Sequence, residues 1–333
     1  MPRRGHIRHG SLQFYPRKKA RKILPRISWS LLSKNDKGPL GFIGYKVGMA
    51  SAYVRDNSTT SLTKGKRIVI PVTIIEIPDI KILSTRFYKN GNVVGEILNN
   101  SLDKELKKKI KLPKDKNEGK KAIKIEDFKK KYNDIRIVAY TQAKKTGIKK
   151  NPDIAEIGIS GDLDEKLDFV KNNLSKEISV NEFLNGDVIK RGLVDVRGVT
   201  KGKGFQGSTK RFGLSLQFHK SEKGVRGPGS GGAWHPARVD FTQPMSGQMG
   251  YFTRVLYNNK IILVENIKNK NINPEEGFKK FGKIKNDYLI ISGSVQGPPK
   301  RQLLITVPLR PSKGQIKKNY EFLELIWKEQ KNK

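Results

Sequence analysis

The sequence predicts a β-rich α+β chain: a small closed β-barrel, interrupted by an inserted α/β module, with a long basic excursion. Three observations carry this. Short Val- and Ile-rich runs bounded by turn residues occur before residue 80 and again after residue 182. Helical stripes are concentrated in the stretch between. From Val199 to Val239 (VTKGKGFQGSTKRFGLSLQFHKSEKGVRGPGSGGAWHPARV) the chain is rich in glycine, lysine and arginine, with too little apolar mass to bury itself.

Residues 1–37 read as a basic arm. From Met1 to Arg26 there are nine Lys and Arg and no acid, interleaved with Phe14, Tyr15, Pro16 and Pro25. Such a segment orders on phosphates while its aromatics stack on or wedge between bases. Its candidate contacts are Arg3, Arg4, His6, Arg8, His9, Phe14, Tyr15, Arg17, Lys18, Lys19, Arg21 and Lys22.

Residues 38–79 form the first part of the barrel. GFIGYKVGMA is a glycine-punctuated strand, and Lys66 to Ile77 a long strand in which Pro71 marks an edge or bulge. Residues 80–182 form the inserted module. Asn90-Gly91 signals a hairpin turn, and Ile135 to Thr141 is a buried strand. Ser101 can cap a short helix carrying Leu102, Leu106 and Ile110, closed by Pro113; Leu163, Leu167, Val170 and Leu174 mark a second helix. Ser179 and Glu182 have capping-box spacing, with Gly186 closing that helix. Nine acids and three lysines lie between Asp153 and Asp187, a patch suited to solvent or a basic protein.

Residues 183–198 and 251–310 supply the other barrel parts. In the latter, TRVLY and KIILVEN flank Asn258-Asn259 as a hairpin, and DYLIIS and QLLITV flank a Gly/Pro turn as another. Residues 199–250 are the loop extension. In 311–333, Ile316, Tyr320, Leu323 and Trp327 predict a C-terminal helix.

Charge narrows the partner. With 68 Lys+Arg against 31 Asp+Glu in 333 residues, the formal net charge is +37. Such a chain repels itself, and a phosphate backbone relieves that repulsion while releasing counterions. No basic amphipathic helix beside an apolar anchor suggests a membrane, and no signal-peptide core is present. The absence of cysteine excludes disulfides and thiolate metal sites and fits a reducing compartment.

Catalytic and cofactor readings are weaker. Gly202, Gly204 and Gly207 match G-x-G-x-x-G, with Glu222 near the place of a ribose-binding acid. The residues after Gly207 show no helix cap or stripe, however, and Glu222 lies in a loop. A P-loop is excluded by Ser208 where its lysine must stand. His6 and His9 are surrounded by arginines, and His219 and His235 lack an orienting carboxylate apart from Glu222. No cofactor, metal or small-molecule substrate is expected.

The same glycines let backbone N–H groups approach a phosphate path, with Lys201, Lys203, Lys210 and Arg211 supplying charge. Other loop candidates are Arg197, Phe205, His219, Lys220, Lys223, Arg226 and Arg238. Trp234, framed by Gly231, Gly232, Ala233, His235 and Pro236, has no apolar periodicity to bury it and reads as a presented tip.

PRRGHIRHGSLQFYPRKKARK, GFIGYKVGM, VDVRGVTKGKGFQG, GAWHPARV and SGQMGY resemble, in this order and over nearly the full chain, large-subunit ribosomal protein three (the L-three family) of the archaeal and eukaryotic type. The resemblance implies a six-stranded translation-protein-type barrel, docked on large-subunit rRNA in the cytoplasmic ribosome beside neighbouring ribosomal proteins. It implies a structural role with early binding in subunit assembly, and a loop apex at Gly232, Trp234, His235 and Pro236 near the peptidyl transferase centre and the A-site tRNA entry path. Related sequences often carry a histidine where this chain has Glu222, so contacts made through that imidazole do not transfer. A transient assembly or RNA-chaperone factor and, more distantly, a dinucleotide enzyme are the alternatives.

Overall fold

The computed structural model describes residues 9–32, 38–111, 132–184, 192–221, 223–231, 234–235 and 237–326. Two compact units emerge: Met1–Ile23 with Val199–Arg254, and Leu24–Gly198 with Val255–Lys333. In chain order the strands are β1 (Gly38–Pro39), β2 (Gly41–Asp56), β3 (Arg67–Ile77), β4 (Ile80–Lys89), β5 (Asn92–Leu98), β6 (Asp134–Thr141) and β7 (Ile154–Ser160). There follow β8 (Leu193–Val199), β9 (Gly202–Gln206), β10 (Gly247–Gly250), β11 (Thr253–Asn266), β12 (Asp287–Ser292), β13 (Gln302–Thr306) and β14 (Tyr320–Ile326). Strands far outweigh helices, as expected of a β-rich α+β chain.

The larger unit holds two sheets. One has the order β13-β8-β11-β12-β3-β2-β14, and β13 also pairs with β2. β2 and β3 run antiparallel from Tyr45 opposite Glu76 to Arg55 opposite Arg67. Pro71 lies just beyond the segment of β3 that pairs with β12, Val72 to Ile77, so its missing N–H breaks no ladder there. The other sheet has the order β1-β7-β6-β4-β5. Its pairs are antiparallel, with Asn90 and Gly91 both at positive φ between β4 and β5, as the hairpin reading requires. Helix Leu163–Asn173 starts at Asp162 through a capping box with Glu165 and buries Leu167 and Val170.

One hydrophobic core draws on both sheets: Phe42, Ile43 and Ile75 from the first, Ile82, Phe87, Ile137 and Ile157 from the second. Trp29 joins it at 4% exposure. A Cβ on Gly41 would lie 2.9 Å from the indole and one on Gly158 3.0 Å from it, so these glycines on β2 and β7 make the slot that the ring fills. Truncating such a ring costs about 3–5 kcal/mol. Trp29 and Leu32, within the stretch 1–37, thus belong to the core of the larger unit.

Five elements depart from the sequence expectation. No helix follows residue 316 among the described residues: Lys313–Ile316 is a single turn, and Tyr320–Ile326 is a strand antiparallel to β2. The free edge of β2 supplies the main-chain partners of this strand, and Glu321 meets Arg55 on β2 while Glu324 reaches Arg67 on β3. Trp327 lies outside the described residues. Asn258-Asn259 is not a turn but a kink within the continuous strand β11. Only Asn258 of the two takes positive φ, its N–H donates to Asp195 Oδ1, and its own Oδ1 accepts from Ser312 N–H.

The segments 287–292 and 302–306 do not form a hairpin either. β12 pairs with β11 and β3, whereas β13 pairs with β8 and β2, because the connection between them crosses over instead of turning back. The first short helix is a 3-10 turn, Lys104–Lys108, preceded by Asp103 and not by Ser101, with Leu106 buried. Ser179 precedes helix Val180–Phe183 without a side-chain cap. Pro113 and Gly186 lie outside the described residues.

Glu76 gives this fold a pH signature. Its Oε1 accepts the N–H of Lys285 at 2.9 Å, that of Asn286 at 3.1 Å and Asn286 Nδ2 at 2.9 Å, while Oε2 is buried without a partner among the described residues. Burial pushes its pKa up, against the lowering effect of those donors. A carboxyl with a raised folded-state pKa holds its proton more tightly folded than unfolded, so it withdraws stability as pH rises from the ordinary carboxylate range towards neutrality. Relative to a Glu76→Gln variant, the wild-type protein is expected to lose melting temperature between about pH 4 and pH 7; a pH-independent difference would contradict this.

Candidate nucleic-acid interface

The smaller unit is built from chain that cannot make a core. Its two segments contribute eight and nine Lys+Arg, against only Glu222 and Asp240. Among its described residues Val199 is the one fully buried hydrophobic side chain, and none of them belongs to a hydrophobic cluster. Main-chain pairing and ring–cation contacts hold it instead.

β9 and β10 pair antiparallel, with Gly202 opposite Gly250, and Tyr251 N–H donates to Lys201 O at 3.1 Å. The N-terminal segment joins through Ala20 N–H to Tyr251 O at 2.9 Å. Arg211, on the short helix Ser208–Phe212, donates through Nε to Gln248 O at 3.0 Å and through Nη1 to Met245 O at 2.9 Å. Arg17 lies 4.4 Å over the Phe212 ring and 5.5 Å over Tyr15, and Arg254 lies 4.7 Å over Phe14. Lys19 sits 5.6 Å over Tyr251.

These cations crowd one another. Burial first, and the Arg17 charge second, push the guanidinium pKa values of Arg211 and Arg254 down. Neither Arg17 nor Arg211 forms an ion pair with a carboxylate among the described residues. The neutralising charge has to come from another molecule.

Most sequence-derived candidates fall together on this unit. Lys18, Lys19, Arg21, Lys22, Lys201, Lys203, Lys210, Lys220, Lys223, Arg226 and Arg238 are exposed, and Arg17 and Arg211 are half-buried. Gly202, Gly204 and Gly207 are exposed, and a Cβ on Gly204 or Gly207 would meet nothing in this chain. Phe205 is 75% exposed and Trp234 83%; Phe14, His219 and His235 are exposed too, while His9 and Tyr15 are half-buried. Arg197 is set apart, in β8 of the larger unit. Arg3, Arg4, His6, Arg8, Glu222, Gly232, Ala233 and Pro236 lie outside the described residues.

The sequence reading missed Phe212, Phe241, Tyr251, Phe252 and Arg254. Their signal is an aromatic beside a charge or another aromatic, in Arg211-Phe212, Asp240-Phe241 and Tyr251-Phe252, within a stretch that has no apolar period. It also missed the helix at Ser208–Phe212, where Gly207 stands in the N-cap position. That helix does not restore a dinucleotide site, because β9 is paired antiparallel in a two-stranded sheet and no parallel β-α-β unit surrounds it. Among the described residues no three His, Cys, Asp or Glu gather as a metal site.

Exposed cations, uncovered aromatics and open glycine backbone on one unit define a protein of the nucleic-acid-binding class. A family model described as ribosomal protein L3 matches residues 1–331. Proteins called large ribosomal subunit protein uL3 are similar along almost the whole chain. That of Methanobrevibacter smithii is 40% identical, covering 94% of each chain, and that of Methanocaldococcus jannaschii 41%, covering 93% of each. The corresponding protein of Archaeoglobus fulgidus is 38% identical over 92% of this chain and 93% of its own. The chain belongs to the ribosomal protein L3 family.

Gly250 tests the architecture of the unit. At φ +70° its Cβ would stand 2.0 Å from Lys201 O, so Gly250→Ala must open the β9–β10 pair, with about 1–2 kcal/mol lost to backbone strain alone. With saturating polyphosphate present, trypsin is expected to cut after Lys201 and Lys203 about tenfold faster in the variant. Equal rates would contradict the pairing.

Proposed function

We infer that this chain is a structural, non-catalytic constituent of the large ribosomal subunit that binds large-subunit rRNA in the cytoplasmic ribosome, beside neighbouring ribosomal proteins. The observation that carries the reading is a core-less unit with seventeen Lys+Arg and two acids, in a chain matched over residues 1–331 by the ribosomal protein L3 model. Relatives are named as subunit proteins, and nothing favours a transient assembly factor.

The finer assignments follow the same logic. The pairing of β13 with both β8 and β2 supports reading the seven-stranded sheet as a six-stranded translation-protein-type barrel, with β14 added on the outer part of β2. Residues 80–182 are then the insertion, and 199–250 the extension. Exposed lysines and arginines of both segments contact phosphate and 2′-OH groups, and the open glycines admit the backbone to the RNA surface. The apex around Trp234 and His235 lies near the peptidyl transferase centre and the A-site tRNA path, where it acts by shaping RNA. An indole 83% exposed in the free chain has no packing role of its own, which supports a contact made only in the assembled particle. Early binding during assembly suits the steep electrostatic attraction.

Neutralising on the order of ten phosphates gives a log-log salt dependence of RNA affinity near about −7 to −9, and a nearly flat dependence would contradict the reading. The protein is also expected to sediment with large subunits through a high-salt wash; release into the supernatant would favour a transient factor. Trp234→Ala is expected to leave stability within about 0.5 kcal/mol and subunit incorporation intact. Chemical probing of rRNA at the peptidyl transferase centre should change in the variant particles, and an unaltered pattern would remove the apex role.

A further inference from the structure

The smaller unit carries an open cavity of about 580 Å³, within the range of ligand sites, whose lining includes Tyr15, Arg17, Arg211, Phe212, Asp240 and Phe241. Three features of it are unexplained by the fold. Phe241 touches Tyr15 edge-on, at 5.9 Å and 84°, yet stays 74% exposed, so a ring face is open. Arg17 Nε is buried with no hydrogen-bond partner among the described residues. Asp240, one of two acids in this unit, has no ion pair and no side-chain hydrogen bond among the described residues, although Arg17 and Arg211 line the same cavity.

We propose that this cavity is a base-specific subsite for a single unstacked guanine of the RNA. The proposal rests on the RNA-binding reading above and deepens it. An open aromatic face stacks on any base and gives no sequence preference. The polar groups supply that preference. A carboxylate accepts hydrogen bonds and donates none, so it suits the N1–H and N2–H donors of guanine and opposes the N1 acceptor of adenine. The Arg17 guanidinium that lines the cavity offers N–H donors, and guanine presents the acceptors O6 and N7 on its other edge. A carboxylate placed merely to interact with phosphate would weaken binding; placed against base N–H groups it selects.

The pocket arrangement is held before any base arrives. Arg211 is tied to two backbone carbonyls, and Arg17 Nη1 donates to Arg211 O at 3.4 Å while stacking on Phe212. Phe241 and Asp240 are exposed, so substituting them removes no core packing.

The test uses the full chain and short oligouridylates carrying one central guanosine, inosine or adenosine, with affinity measured by fluorescence anisotropy at several salt concentrations. The guanosine oligomer is expected to bind about tenfold more tightly than the adenosine one, with inosine, which lacks the N2 amino group, between them. Asp240→Asn should abolish most of that ratio, even if loss of a negative charge tightens binding of every oligomer. Phe241→Ala should weaken the guanosine oligomer about tenfold without changing the salt slope, whereas Phe205→Ala should preserve the guanosine-to-adenosine ratio. Equal wild-type affinities, or a ratio untouched by Asp240→Asn, would overturn the subsite while steep salt dependence left general RNA binding intact. No measurable binding to any oligomer would overturn both readings.

Discussion

Uncompensated positive charge on chain that cannot bury itself is the constraint on which the rest depends. In the smaller unit the ordinary means of stabilising a fold are missing: no hydrophobic cluster includes its described residues, and burial, with the Arg17 charge second, lowers the proton affinity of Arg211 and Arg254. The contacts that remain are a short β pair, cation–ring stacks and backbone-tied arginines, each modest alone. A polyanion converts the repulsive term into an attractive one and completes the unit.

The larger unit does the opposite. It invests its apolar residues in a core shared by two sheets, with Trp29 set against two glycines, and it places even its acids in defined hydrogen-bonded positions, as at Glu76 and Asp195. In sequence the extension is bounded by β8 and β11. This is the division expected when function lies on a segment that a scaffold positions.

Elements whose partners are local were legible in the sequence. Asn90-Gly91 gave its hairpin, and Leu167 with Val170 gave the buried face of a helix, because a turn and a helical face are set by neighbouring residues. Tyr320–Ile326 was not legible as a strand, because its partner, β2, lies more than 260 residues away and its apolar spacing also fits a helix. Asn258 misled because an asparagine at positive φ serves a kink as well as a turn; a carboxylate 63 residues earlier decides between them. The crossing of 293–301 likewise depends on β2 and β8, which no local signal names. For the candidate site, charge and glycine content marked the two segments that make up the smaller unit. The cavity stayed hidden, since it forms only when residues near 15 and near 241 come together.

Amide hydrogen exchange over 9–23 and 199–254 compares the free chain with the chain bound to RNA at physiological ionic strength. The account predicts weak protection in the free chain and strong protection on binding, while β2, β3 and β12 are protected in both. Equal and strong protection of those two segments without RNA would contradict it.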